Sequence, residues 1–216
     1  MSDMEDRTEE AQALDVAARV VSNLLLGPPG DDLRAMFTDA DAAQEWPLRD
    51  EGAMQALRDV AAAAPDPEDM LRRDHFRLFV GPGRGFACPY ESVYTSRDQL
   101  VFGDETLDVR ATYARIGLEA PGGGSEPDDH LGFEIAYIAE VAHRIVHAAD
   151  DEQTQHRLRS ELGRFLVDHV NRYADQVMAS VAEHAETAVY RALPALTHSV
   201  IEASHALAVR HLPIER

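Results

Sequence analysis

Lysine is absent from this chain, cysteine and tryptophan occur once each, and nowhere are there the roughly eighteen uninterrupted apolar residues that a membrane-spanning helix needs. Each gap excludes a class of protein. The single thiol, Cys88, rules out an intrachain disulfide, so the chain must fold without covalent staples and suits a reducing cytoplasm. The acidic opening MSDMEDRTEE has neither the basic region nor the apolar run of an export signal, so neither export nor membrane insertion is expected. All 20 basic residues are arginine, set against 39 acidic ones, for a formal charge of −19. Such a field repels nucleic acid and anionic lipid, which excludes the usual binders of both. Arginine without lysine, with abundant alanine and aspartate, is the composition expected of a high-salt, halophilic cytoplasm, where screening relieves self-repulsion. Also missing are sustained period-two runs of β-branched residues and a Gly-x-Ser-x-Gly elbow. The Gly122-Gly123-Gly124-Ser125 run is not followed by Gly-Lys-Ser/Thr, so it is no phosphate loop.

What remains is helical periodicity. Leu14, Ala18, Val21 and Leu25 share one face of a helix over 8–26, which Gly27-Pro28-Pro29-Gly30 ends. Short and longer helices are expected over 31–38 and 51–64, the latter turning Met54, Leu57 and Val60 inward. Asp66 reads as the N-cap of a helix running towards Val80. A helix over 105–118 is expected to bury Leu107, Ala111, Ala114 and Leu118. The clearest helix spans 127–149, with Leu131, Ile135, Ile138, Ala142 and Ile145 in register, and should be central. Another starts near Glu152, carries Leu158, Leu162 and Phe165, bends near Asn171 and continues through Val177 and Val181. The last, over 187–211, turns Val189, Leu193, Leu196, Val200 and Leu207 inward. The fold class is therefore all-α, one domain of about eight or more helices over 1–216, with a possible hinge at 121–125.

Two stretches are not explained by helix packing alone. Residues 74–94, DHFRLFVGPGRGFACPYESVY, carry a helix into a glycine- and proline-broken loop that keeps Phe79, Phe86, Tyr90 and Tyr94. In 126–138, EPDDHLGFEIAYI, proline is expected at the first helical position, with Asp128 and Asp129 in the positive first turn and His130 beside them.

The combination carries a resemblance. Leu78-Phe79-x-Gly81-Pro82, Pro89-x-Glu91-Ser92-Val93-Tyr94 and Glu126-Pro127-x-Asp129-His130, in this order, resemble the signature of the TorD/DmsD-like redox-enzyme maturation chaperones. Phe165-x-x-x-His169-Val170-x-x-Tyr173 and Val189-Tyr190 with Ala192-Leu193 are similar to later segments of that family. The resemblance covers roughly residues 70–207; Tyr90 and Tyr173 stand where many members have tryptophan, and His75 where some have an aromatic residue. It implies an all-helical cytoplasmic chaperone, not an enzyme and without a cofactor of its own, acting as a monomer or homodimer. The implied partner is a molybdoenzyme catalytic subunit with its twin-arginine leader, of the dimethyl sulfoxide or trimethylamine N-oxide reductase type ahead of nitrate reductase. The implied leader-binding residues are Leu78, Phe79, Pro89, Tyr90, Glu91, Ser92, Tyr94, Glu126, Asp129 and His130.

Two other chemistries compete. Glu140-x-x-His143 and Glu202-x-x-His205 have the spacing that di-iron helical-bundle oxidoreductases use, with His147 one turn further on. At about 100° per residue, however, both pairs fall opposite the apolar stripes of their helices and read as solvated faces, so no metal site is expected. Ser92, His130 and Asp129 could form a catalytic triad, and Cys88 with His130 a dyad, but nothing in their spacing specifies either.

Overall fold

The computed structural model describes residues 2–39, 41, 45–98, 100–121 and 126–209. Among them are ten α-helices and no strand. In chain order they are α1 (Ser2–Leu26), α2 (Asp31–Thr38), α3 (Glu51–Ala62), α4 (Glu68–His75), α5 (Glu91–Thr95), α6 (Asp104–Arg115), α7 (Leu131–His147), α8 (Glu152–Asp168), α9 (Ala174–His184) and α10 (Ala188–Val209). A wide π turn, Phe76–Val80, follows α4, and a 3-10 turn, Val170–Arg172, makes the bend expected near Asn171. Of the candidate hinge at 121–125, residues 122–125 lie outside the described residues.

The most extensive packing is between α1 and α7, the central pair. Their approach is close because residue 132 is glycine: a Cβ there would stand 2.7 Å from the Leu26 side chain. Ser22 on α1 uses the proximity to donate a 2.8 Å hydrogen bond to the Gly132 carbonyl. α10 packs on α1, α3, α8 and α9, and the inward faces expected for α1, α7, α8 and α10 all belong to one buried cluster. Burying such stripes is the main source of stability in a bundle of this kind.

Three local expectations need correction. α6 does not bury Leu107, Ala111 and Ala114; it buries Thr106, Val109, Thr112 and Tyr113, because the Thr106 hydroxyl and the Tyr113 phenol have buried acceptors to reach. Asp66 does not cap its own helix. Its carboxylate accepts from the Ala188 amide at 2.7 Å, while Asp74 accepts from the amides of Glu186 and Thr187 at 2.9 and 2.8 Å. Both acids thus serve the start of α10, where unpaired amides and the helix dipole favour negative charge. Finally, α7 starts at Leu131, not at Pro127: His130 is the N-cap, its Nδ1 accepting from the Gly132 amide at 2.9 Å. Asp128 and Asp129 stand before the helix, in a turn held by contacts to other segments.

Candidate functional site

The site begins where α4 ends. In the wide turn the Gly81 amide reaches back to the Phe76 carbonyl at 2.6 Å, and the chain then folds over the helix end. There the Phe86 and Ala87 amides bond the carbonyls of Arg77 and Leu78 at 3.1 and 2.8 Å, pairing groups that a helix terminus leaves open. Gly85 is required for this return: its φ is +67°, and a Cβ would fall 2.5 Å from the Leu78 carbonyl oxygen. Phe86 is pinned outside, stacked on His184 at 4.5 Å with the Arg77 guanidinium 5.3 Å from its ring.

The loop then meets the acidic turn, as the two stretches suggested. Tyr90 and His130 face each other in an isolated antiparallel bridge. The Glu91 amide donates to the Asp129 carbonyl at 3.0 Å and the Leu131 amide to the Pro89 carbonyl at 2.7 Å. This bridge needs extended backbone just before Leu131, which is why the helix cannot start at Pro127.

Beneath the bridge lies a buried polar layer. Asp129, 0% exposed, accepts from the Ser92 amide at 2.9 Å and from the Thr106 hydroxyl at 2.7 Å. Glu91, also buried, holds His169 Nδ1 at 2.9 Å with one oxygen and Arg172 at 2.8 Å with the other. Asp128 pairs with Arg110, and its carbonyl accepts from Tyr113. Leu78 belongs to the core below. Tyr94 leans on Tyr173 at 5.7 Å and donates to the Cys88 carbonyl at 2.9 Å.

Above the bridge is a cavity of about 610 Å³, well within the range of ligand sites. Phe79, Tyr90, Glu126 and His130 line it, and they are the four expected residues in its wall. His75 and Cys88 join them in the wall, with Leu26, Val80, Val101 and Phe133 supplying apolar surface. Arg84 also borders it.

Burial sets the protonation of this wall. It lowers the His130 imidazole to about 4, with nearby His75 adding to the effect, and it lowers His75 as well. Both rings are therefore neutral at pH 7. His130 Nδ1 is an acceptor towards Gly132, which leaves the proton on Nε2. His75 Nε2 lies 3.2 Å from the Leu25 carbonyl, which fixes the proton there and leaves Nδ1 bare. The Tyr90 phenol, half-buried and donating to Glu126, is raised, and burial pushes Tyr94 up to about 12. Burial also raises the Cys88 thiol, so it is no ready nucleophile. The wall thus offers one carboxylate, a phenol and two neutral imidazoles in an apolar frame, with the Arg84 guanidinium at its border.

The competing chemistries find no geometry. Asp129 is bonded to Ser92 and Thr106 and not to His130, and the buried Ser92 hydroxyl has no hydrogen-bond partner, so no relay forms. Glu140 pairs with Arg144, His143 with Asp15, and His205 with Asn171. Among the described residues no three His, Cys, Asp or Glu side chains are grouped to share a metal ion.

Several participants were not foreseen. Thr106 was not singled out, and His75 and His169 were quoted without a role. Glu134, 0% exposed, has neither carboxyl oxygen in a hydrogen bond. The neighbouring Tyr173 hydroxyl favours its charged form less than burial and the Glu91 charge oppose it, and is directed at the Asp129 carbonyl, 3.4 Å away. Burial and then the Glu91 charge raise Glu134 well above the ordinary carboxyl range. Its position three residues after Leu131 and four before Ile138, on the apolar stripe, was the available signal.

A family model described as nitrate reductase delta subunit matches residues 44–179. A Tat proofreading chaperone DmsD of Salmonella typhimurium is 30% identical over 175 residues, 77% of this chain and 84% of its own. A probable Tat proofreading chaperone DmsD of Haemophilus influenzae is 20% identical over 195 residues, 88% of this chain and 89% of its own. A chaperone protein TorD of Vibrio cholerae is 31% identical over 87 residues, 39% of each chain.

Proposed function

The chain belongs to the family of the nitrate reductase delta subunit and the TorD/DmsD-like maturation chaperones, and from that premise we propose that it binds a molybdoenzyme catalytic subunit in the cytoplasm and guards its twin-arginine leader until the cofactor is inserted. The client is a dimethyl sulfoxide or trimethylamine N-oxide reductase type subunit, ahead of nitrate reductase. The chaperone catalyses nothing itself and needs no cofactor; no helix among its described residues is long and apolar enough to cross a membrane.

The observation that carries this reading is the cavity wall in which Tyr90 and Glu126 stand together within apolar surface, beside two imidazoles held neutral. A guanidinium group needs a carboxylate with a planar, partly desolvated approach, and neutral imidazoles do not repel it. Glu126 offers the charge, Tyr90 orients it, and His75 Nδ1 offers a second acceptor. In this proposal Phe79, Tyr90, Glu126 and His130 touch the leader, while Leu78, Pro89, Glu91, Ser92, Tyr94 and Asp129 hold those four in place.

Calorimetric titration with a synthetic twin-arginine leader tests it. Glu126→Gln and Tyr90→Phe should each weaken binding roughly ten- to a hundredfold, as loss of a charged hydrogen bond does. Glu140→Gln and His205→Ala, on the faces of the rival metal reading, should leave it unchanged. The reverse pattern would sink the assignment.

A further inference from the structure

Beside the cavity runs an apolar ledge of which only Val101 enters the wall described above. Leu100, Val101 and Phe102 are consecutive large apolar residues, 60%, 41% and 59% exposed. Acids flank them: Asp98 on one side, Asp104 and Glu105 on the other. Single apolar side chains on a surface are ordinary, but three in a row in so acidic a setting mark a place of contact. Val101 also lines the cavity, so ledge and cavity form one continuous surface. The backbone supplies an independent observation. Phe102 holds φ +67°, the one non-glycine residue in the left-handed region among the described residues. A bulky residue there is strained, and a ring left in water offsets none of that strain. Neither the exposure nor the conformation serves the isolated fold.

We infer that this ledge holds the apolar run of the same cationic peptide whose guanidinium meets Glu126, an inference that rests on the reading of the cavity given above. The chemistry of the occupant follows from the two ends of the surface. One end presents Glu126 with the Tyr90 phenol and the other bare apolar side chains, which together fit a segment that is cationic and then uncharged and apolar. A second copy of the chain fits badly, since it would bring another −19 of charge against the same face.

The test uses two synthetic peptides, one with adjacent arginines followed by a leucine-rich run, the other with that run replaced by serine and glycine. Phe102→Gly is the informative variant, because it removes the ring and relieves the left-handed backbone at once. Its melting temperature should be equal to the wild type's or higher. Its affinity for the leucine peptide should fall about tenfold, and its affinity for the serine peptide should not change. Val101→Ser should likewise lower affinity for the leucine peptide. Undiminished binding of the leucine peptide by both variants overturns the ledge, as does a sedimenting dimer that Phe102→Gly abolishes while peptide affinity stays put. Glu126→Gln separates the two levels: if it weakens both peptides while the ledge variants weaken neither, the cavity reading stands alone; if it weakens neither, both readings fall.

Discussion

Arg172 reaches across from the turn after α8 to place Nη1 2.8 Å from Glu91 Oε1, while His169, three residues earlier, takes the other oxygen of the same carboxylate. Glu91 is the first residue of α5 and its amide is one strand of the bridge, so this clamp fixes the floor of the cavity. Removing one partner of a buried charge costs more than the bond itself contributes, because the remaining charge stays desolvated. Arg172→Ala should therefore destabilise the fold by about 1.5 to 3 kcal/mol, the guanidinium being partly exposed and water able to take some of its place. Urea denaturation reads this directly, and a loss below a few tenths would show the clamp to be idle.

His130 makes an acid-side prediction. Its folded value lies near 4, below the ordinary imidazole value near 6.5, because burial disfavours the charged ring. Between those values the unfolded chain holds the extra proton, so the stability due to a neutral His130 is present above about 6.5 and is lost as pH falls towards 4. The shift corresponds to roughly 3 kcal/mol at most. His130→Asn keeps an acceptor for the Gly132 amide and removes the titration. Its unfolding free energy should consequently depend less steeply on pH over that window than the wild type's.

Glu134 acts in the opposite direction. Burial first, and then the Glu91 charge, raise its folded pKa well above the unfolded value. The stability it permits is present in full below the ordinary carboxyl value, about 4.3, and is lost as pH rises towards the folded pKa. Glu134→Gln puts an amide that cannot titrate, of the same shape, in its place. Guanidinium titrations from pH 5 to 9 should find the variant gaining on the wild type as pH rises; parallel curves would place the proton elsewhere.

The helices were legible because their apolar steps are regular: Leu131, Ile135, Ile138, Ala142 and Ile145 are all buried as their spacing suggests. α6 was misread because periodicity counts threonine as outward. Thr106 and Thr112 face inward all the same, the one bonding Asp129 and the other the Asp108 carbonyl of its own helix. Asp66 and Asp129 were misread for a shared reason. A carboxylate near a helix start follows a local rule until a distant amide claims it, Ala188 for the first and Ser92 for the second. The meeting of the aromatic loop with the acidic turn was legible from motif order, whereas the Glu91 clamp was not, since its partners come from a segment some 80 residues away.

That distinction between lining and supporting residues yields the last prediction. Asp129 was expected to face a leader directly, yet both its oxygens are committed below the bridge, to Ser92 and to Thr106. Asparagine there can still accept from the Ser92 amide and can donate to the Thr106 hydroxyl, so Asp129→Asn should fold, with stability reduced by about 1 to 2 kcal/mol. Its leader affinity should fall only as far as the bridge loosens, and recover when low temperature or a stabilising co-solvent restores the fold. Glu126→Gln should do the converse, losing affinity at unchanged stability, because its carboxylate stands in the cavity wall and accepts from the Tyr90 phenol there. Thermal melts and leader titrations on the two variants separate the roles. An Asp129→Asn protein that melts like the wild type but fails to bind would return Asp129 to the contact surface and require the bridge to open when the leader arrives.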